Sequence, residues 1–189
     1  MDPVRQESGV VATFIIDWPV LAFFGFFFGN FSSGRSLWRD PAFAGGLMAA
    51  SGFTGVAMLS YRDAPEWMWM YYRDPKDMER FVPWMPVGYI ITFLGAFRAA
   101  LRLRSEERSV WPAAAAAVVA EGAIVAATWD RYHRIGTKEE WENGTASELV
   151  KTKPQGLAKK ISSYGPIVAV TFLVGLLLAR RGRASAADR

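Results

Sequence analysis

The chain has 189 residues, is 51% hydrophobic and 14% aromatic, and carries a formal net charge of +4. It contains no cysteine, which excludes disulfides, thiolate metal sites and cysteine nucleophiles, and its single histidine excludes a histidine-cluster metal centre. Apolar residues gather in runs of about 20, the length at which a helix crosses a bilayer, and charged stretches separate these runs. The sequence therefore predicts an all-α bundle, a single integral membrane domain of about five transmembrane helices.

The excess positive charge lies beside the apolar runs, as in Arg180-Arg181-Gly182-Arg183. Basic residues that flank membrane spans contact lipid head groups. A nucleic-acid-binding protein would instead carry a basic stripe on a soluble surface. The sequence therefore predicts membrane lipids as partners and excludes nucleic acid.

Five predicted spans follow one another in chain order. The first contains Asp17 and Pro19, which interrupt its apolar run, so the sequence leaves open a continuous helix or a re-entrant segment. The second starts at Asp40-Pro41, an N-cap residue followed by proline at the first helical position. Its many glycines and alanines would let a neighbouring helix approach closely, which predicts a central place for this helix. The predicted spans are 10–31, 41–61, 82–101, 110–129 and 162–179.

Two polar connectors follow the second and fourth spans and are predicted to cap the same face of the bundle. The tail, 180–189, is small and polar, which predicts a disordered end. Arginines outnumber acidic residues in this tail and in the short loops after spans one and three. The positive-inside rule then predicts a C-terminus on the cytoplasmic or matrix side of a bacterial inner or organellar membrane, with the N-terminus outside.

Three ionisable residues within or beside the spans form the candidate ion- or ligand-binding set: Asp17, Glu121 and Arg98. A charged group inside a membrane is costly, so each residue is a site hypothesis by default. Glu121 lies near the middle of the fourth span, where it would pair with Arg98, line a polar cavity, or form a structural hydrogen bond to another helix. Asp17 lies closer to the interface, where it would stay hydrated beside Pro19. The sequence leaves the functional and the structural interpretations open for both carboxyl groups.

The connector after the second span carries an aromatic stretch. Trp and Tyr favour the head-group level, so the stretch predicts an interfacial belt against lipid, and the alternative is the floor of a groove for a pigment, quinone or lipid tail. Beyond the fourth span, Asp130 and His133 are spaced by one helical turn, which would suit acid–base chemistry at the membrane surface. The candidate interfacial lipid or ligand contacts are Glu66, Trp67, Trp69, Tyr71, Tyr72, Asp130 and His133.

The sequence contains no nucleotide-binding loop, zinc signature or other catalytic motif, and it identifies no cofactor and no metal. The leading hypothesis is non-enzymatic: an accessory or scaffold subunit of a larger membrane complex, such as an energy-transducing one. Its Phe- and Trp-rich lipid-facing surface would then pack against other membrane subunits. The first alternative is a small transporter or lipid- or ligand-binding protein that uses the intramembrane carboxylates. The second is a membrane enzyme acting on lipid at the loop-capped face with Asp130, His133 and Glu66.

Overall fold

The computed structural model of the protein describes residues 17–33, 36–63, 80, 82–132 and 155–187. Over these ranges the fold is all-α, with five helices, two short 3-10 turns and no strand, which confirms the predicted fold class. The helices are α1 (Trp18–Gly29), α2 (Pro41–Asp63), α3 (Met85–Ser105), α4 (Trp111–Tyr132) and α5 (Gln155–Ala187), and the 3-10 turns are Leu37–Arg39 and Val82–Trp84.

Within the described ranges, three segments are long and apolar enough to cross a membrane, judged by length and composition: Pro41–Leu59, Val82–Ser105 and Ser163–Gly182. They belong to α2, α3 with its preceding 3-10 turn, and α5. The apolar stretches of α1 and α4 are shorter, at Trp18–Gly29 and Trp111–Ile124. A hydrocarbon core of about 30 Å needs roughly 20 helical residues. The fold is therefore compatible with a membrane location.

Helix α1 packs along α3 in a parallel direction through a glycine pair. A Cβ atom on Gly25 would lie 2.6 Å from both the Cβ of Ala96 and the carbonyl oxygen of Phe93. One turn further on, a Cβ atom on Gly29 would meet Ala100 at 2.5 Å. This is the small-xxx-small packing that membrane helices use for close approach.

The most extensive helix pair is α2 with α5, which run antiparallel. Gly45 and Gly175 meet backbone to backbone, since a Cβ atom on either one would overlap the carbonyl oxygen of the other. Further along, Gly52 lies directly against the side chain of Thr171. The small residues of α2 therefore receive a close neighbour, as the sequence predicts, and α2 also packs against α1 and α3.

Many phenylalanine rings pack inside the bundle. The sequence predicts instead that the phenylalanines form a surface that faces lipid. Phe172 of α5 lies with its ring centroid 5.3–5.5 Å from three rings of α1, those of Phe24, Phe27 and Phe28. Aromatic pairs at these separations contribute beyond their buried area. Helix α1 packs against α2, α3 and α4 and also makes ring contacts with α5, so α1 lies at the centre of the bundle, rather than α2 as predicted. The phenylalanines at most 6% exposed are Phe24, Phe28, Phe43, Phe93 and Phe97.

Helix α4 packs mainly against α1. Its buried stripe includes Ala114 and Ala117, and Glu121 follows four residues later on the same face, as the helical period requires. The rest of α4 is largely exposed. Helix α4 thus contacts the bundle through one narrow face that includes Ala114 and Ala117.

Two helix starts bear directly on the predicted spans. Asp40 is the N-cap of α2, because its Oδ1 accepts a hydrogen bond from the Ala42 amide at 3.0 Å and Pro41 is the first helical residue, as predicted. Helix α1 begins at Trp18, and Asp17 before it has the left-handed φ of 58°. A right-handed helix cannot run through that conformation. The first predicted span is therefore not one continuous α-helix, and its 10–16 part lies outside the described residues.

The last described helix extends beyond the end of the fifth predicted span. Helix α5 continues through the arginines to Ala187 instead of stopping near residue 179. Arginine and alanine are strong helix formers, and Gly182 lies against the ring of Pro41, which supports the extra turn. Helices α2 and α4 both run towards the end of the bundle where Asp17 lies, hereafter the Asp17 end. The opposite end, where α2 begins, is the Asp40 end.

Candidate functional site

A buried tyrosine joins Asp17 to the helix bundle. The Tyr89 hydroxyl of α3 donates a hydrogen bond to Asp17 Oδ2 at 3.2 Å, and Tyr89 is 0% exposed. The Asp17 carboxylate makes no cap hydrogen bond to its own helix. Its left-handed backbone, a conformation that aspartate tolerates better than most residues, directs the carboxylate towards α3 instead. The start of α1 is thereby fixed to α3.

Glu121 approaches the same region from α4. Phe27 of α1 contacts Trp111 of α4, with ring centroids 6.1 Å apart, and each lies ten residues from its helix's carboxyl residue, which places Glu121 at about the level of Asp17 along the bundle. Its Oε2 atom is buried and has no hydrogen-bond partner within the part of the chain that the structure describes. A buried polar atom without a partner is costly, and such atoms mark places where a proton, a water molecule or a ligand is accommodated. The structure thus joins Asp17 to Tyr89 and places the unpartnered carboxyl atom of Glu121 at a similar level of the bundle.

Arg98 does not join this site, although the sequence predicts it as a partner of Glu121. It is exposed on α3, and among the described residues it forms no ion pair. The inward stripe of α3 includes Tyr89, Phe93 and Ala96, spaced by three or four residues. Residue 98 falls outside that stripe because each residue turns the helix by about 100°. Of the predicted set, Arg98 is therefore exposed, and the residue that contacts Asp17 is Tyr89, which was not in the set.

Sequence reasoning overlooked Tyr89, although a signal for it existed. The tyrosine occupies the same helical face as Phe93, Ala96 and Ala100, a spacing that predicts burial. A buried tyrosine usually has a hydrogen-bond partner for its hydroxyl. That combination would have predicted a polar partner for Tyr89 inside the bundle, and the interrupted first span offered Asp17.

A second polar cluster lies at the Asp40 end and has a structural role. The Ser32 hydroxyl donates to Asp40 Oδ2, and Asp40 is 3% exposed. The Arg104 guanidinium, from the last turn of α3, donates to the carbonyl oxygens of Gly29, at 3.2 Å, and of Ser32. An arginine that bonds the free carbonyls at a helix end stabilises that end. The cluster therefore joins the end of α1, the start of α2 and the end of α3.

Most of the predicted interfacial residues lie outside the described part of the chain. Asp130 lies in the last turn of α4. Glu66, Trp67, Trp69, Tyr71, Tyr72 and His133 lie outside the described residues, so the aromatic belt and the acid–base pair remain predictions. Within the described ranges, no group of three or more His, Asp or Glu side chains is arranged to hold a metal ion.

An open apolar groove runs beside α1 and α5. It has almost no polar surface, and its floor is Phe24, which lies near Phe172. A groove of this composition suits a hydrocarbon chain rather than a polar ligand. The residues of α5 along it are Gly165, Val168, Ala169, Phe172 and Leu173.

The fold and these sites define a class: an α-helical bundle with helices suited to a membrane and with a carboxyl–tyrosine pair at the Asp17 end. Comparison of the chain with protein-family models, curated proteins and solved structures finds no match.

Proposed function

We propose that the protein is an accessory or scaffold subunit of a larger membrane complex, and that a transmembrane helix of another subunit packs on the outer face of α4. The observation that carries this proposal is the size of the exposed side chains on that face. Between Ala115 and Ala126 the exposed side chains of α4 are mostly alanine and glycine, and the larger exceptions are Val118 and Val119. The exposed small residues are Ala115, Ala116, Ala120, Gly122, Ala123 and Ala126.

The outer face of α5 supplies the contrast. Its exposed residues are mostly large and branched, as suits contact with lipid chains. Helix–helix contacts in membranes are instead enriched in small residues, because small side chains let two backbones approach and gain van der Waals contact. Gly122 has no atom from another part of the bundle within 4 Å of its ideal Cβ position, so this surface is open. The large exposed residues of α5 are Ile167, Val170, Leu173, Val174 and Leu177.

We also propose which side of the membrane each end of the bundle faces. We place the arginine-rich Asp40 end on the cytoplasmic or matrix side, which is where the positive-inside rule puts short basic loops. The outer face of α4 would then be available to a partner within the same bilayer.

The first test enlarges the proposed docking face. We expect the double variant Ala116→Leu/Ala120→Leu to lose its companion subunit while its own helix content stays unchanged, because both alanines are exposed and face no helix of this chain. Two added isobutyl groups would keep a partner backbone from approaching. The measurement is co-purification in mild detergent, with molar mass determined by light scattering.

The matched control is Ala169→Leu, an exposed alanine on α5. It adds the same kind of side chain to a face that already carries large residues, so the companion should stay bound. A wild-type protein that purifies as a monodisperse 21.0 kDa monomer, with nothing attached, would refute the subunit role. Equal loss of the companion in both variants would refute the choice of α4.

A second candidate function is favoured by the positions of Asp17, Tyr89 and Glu121: a small ion transporter or ligand-binding membrane protein. Two carboxyl groups at one level of a membrane-compatible bundle are candidates for binding a proton or a cation. The unpartnered Glu121 Oε2 is the atom that supports this function. The carboxyl groups would then carry the bound proton, and Tyr89 would hold Asp17 in position.

We expect Glu121→Gln to reduce proton uptake into proteoliposomes by at least about tenfold, since an amide cannot take up a proton at neutral pH. The measurement is the fluorescence of a trapped pH indicator after a pH jump. Glu107→Gln is the control, because Glu107 is exposed at the opposite end of the bundle. Wild-type flux in Glu121→Gln, or wild-type flux no greater than that of empty vesicles, would rule out this function.

A further inference from the structure

Three exposed arginines flank the contact between the last turns of α5 and the first turn of α2. A Cβ atom on Gly182 would overlap the ring of Pro41, so the two helix ends are in direct contact. Arg180 and Arg181 precede Gly182, and Arg39 lies two residues before Pro41. All three side chains are exposed. We call Arg39, Arg180 and Arg181 the arginine corner.

The charge of the arginine corner is not neutralised within the described part of the chain, where none of the three arginines forms an ion pair. The acid nearest in sequence, Asp40, is buried and engaged by the Ser32 hydroxyl and the Ala42 amide. Three positive charges therefore flank this helix contact, and the acid nearest to them in sequence is buried.

The corner lies at the level where a membrane-embedded bundle meets the head groups. The apolar segment of α2 begins at Pro41, and that of α5 ends at Gly182, so both membrane-compatible segments end here. Trp38, next to Arg39, is 86% exposed and lies edge-on to Phe43 with ring centroids 5.8 Å apart. An exposed tryptophan at the end of an apolar segment is typical of the membrane interface.

We propose that the arginine corner binds the phosphate group of an anionic phospholipid from the leaflet at the Asp40 end. Guanidinium groups present paired N–H donors that match the oxygens of a phosphate, and exposed arginines at the end of a span lie at phosphate depth. The apolar surfaces of α2 and α5 below the corner receive the acyl chains. This site is independent of the proposed docking face, because it uses α2 and α5 rather than α4.

The test measures lipid preference with the full chain in detergent micelles. Equal amounts of phosphatidylglycerol and phosphatidylcholine are added, and native mass spectrometry counts the retained lipids. We expect the wild type to retain phosphatidylglycerol on the order of tenfold over phosphatidylcholine, and the triple variant Arg39→Gln/Arg180→Gln/Arg181→Gln to retain the two nearly equally.

The control removes the same number of charges from α3 and the turn that follows it, as Arg98→Gln/Arg102→Gln/Arg108→Gln. Arg102 and Arg108 already pair with Glu106, at 3.0 and 3.6 Å. We expect this variant to keep most of the wild-type preference. An equal loss in both triple variants would show a general charge effect and overturn the site, as would an unchanged preference in the corner variant.

Two measurements on the wild type do not depend on how any variant folds. The preference for phosphatidylglycerol should weaken as salt is raised, because exposed charges are screened over about 10 Å at 0.1 M ionic strength. A preference that does not respond to salt contradicts a site made of exposed arginines. Inorganic phosphate at the lipid concentration should not displace the lipid, and displacement would assign the corner to soluble anions.

Discussion

Replacing Gly45 with alanine is expected to destabilise the bundle by at least about 3 kcal/mol, towards the upper end of what overpacking costs. The added Cβ atom would overlap the carbonyl oxygen of Gly175 and lie 2.9 Å from its carbonyl carbon. Both atoms belong to the backbone of α5, so no rotamer change removes the clash. The two helices must separate, and the buried alanines along the crossing, Ala49 and Ala179, then lose their close contacts.

Gly55 on the same helix provides the matched control. Nothing lies within 4 Å of a Cβ atom there, so Gly55→Ala should be neutral or stabilise α2 by up to about 1 kcal/mol through helix propensity. Unfolding of the purified chain by a denaturing detergent, followed by circular dichroism, compares the two variants. Equal stability of the Gly45 and Gly55 variants would mean that the backbone contact between α2 and α5 does not exist in the membrane protein.

The second large effect is expected for Asp40→Ala, at about 2–3 kcal/mol of destabilisation. Loss of an N-cap costs about 1–2 kcal/mol, and the variant also leaves the buried Ser32 hydroxyl without its Asp40 acceptor, which adds a further cost. The substitution weakens the cluster that joins three helix ends, to which Arg104 also belongs. The measurement is the midpoint of thermal unfolding in detergent.

Asparagine at position 40 should recover most of the lost stability. Its side-chain oxygen still accepts from the Ala42 amide, and its amide group can donate to the Ser32 oxygen. If Asp40→Asn is as unstable as Asp40→Ala, the negative charge matters more than the hydrogen bonds. If both variants match the wild type, the cluster does not stabilise the bundle.

Features that depend on a few neighbouring residues could be predicted from the sequence. The start of α2 follows from Asp40-Pro41, because an N-cap and a proline act within a single helical turn. The all-α class follows from long apolar runs, and each predicted span overlaps one observed helix. The sequence also indicated the interruption at Asp17. In the structure Asp17 has a left-handed backbone and immediately precedes α1.

Which face of each helix points into the bundle could not be predicted in the same way. A helix in a soluble protein shows an apolar stripe that identifies its buried face, whereas lipid and bundle interior are both apolar. The phenylalanines of α1 were therefore assigned to lipid, although Phe24 and Phe28 are buried. The same ambiguity led to the predicted pairing of Arg98 with Glu121. Small-residue spacing is the better guide: Gly25 and Gly29, four residues apart, lie at the α1–α3 contact, although the span prediction did not use them.

The antiparallel pair of α2 and α5 has a consequence for how the protein is made. At a synthesis rate of about 5–20 residues per second, Gly175 is added to the chain on the order of ten seconds after Gly45. During that interval the glycine face of α2 has no partner from its own chain, and it is the kind of face on which membrane helices associate. The nascent protein is therefore most vulnerable to wrong pairing with another chain, or to quality-control proteolysis, before α5 leaves the ribosome.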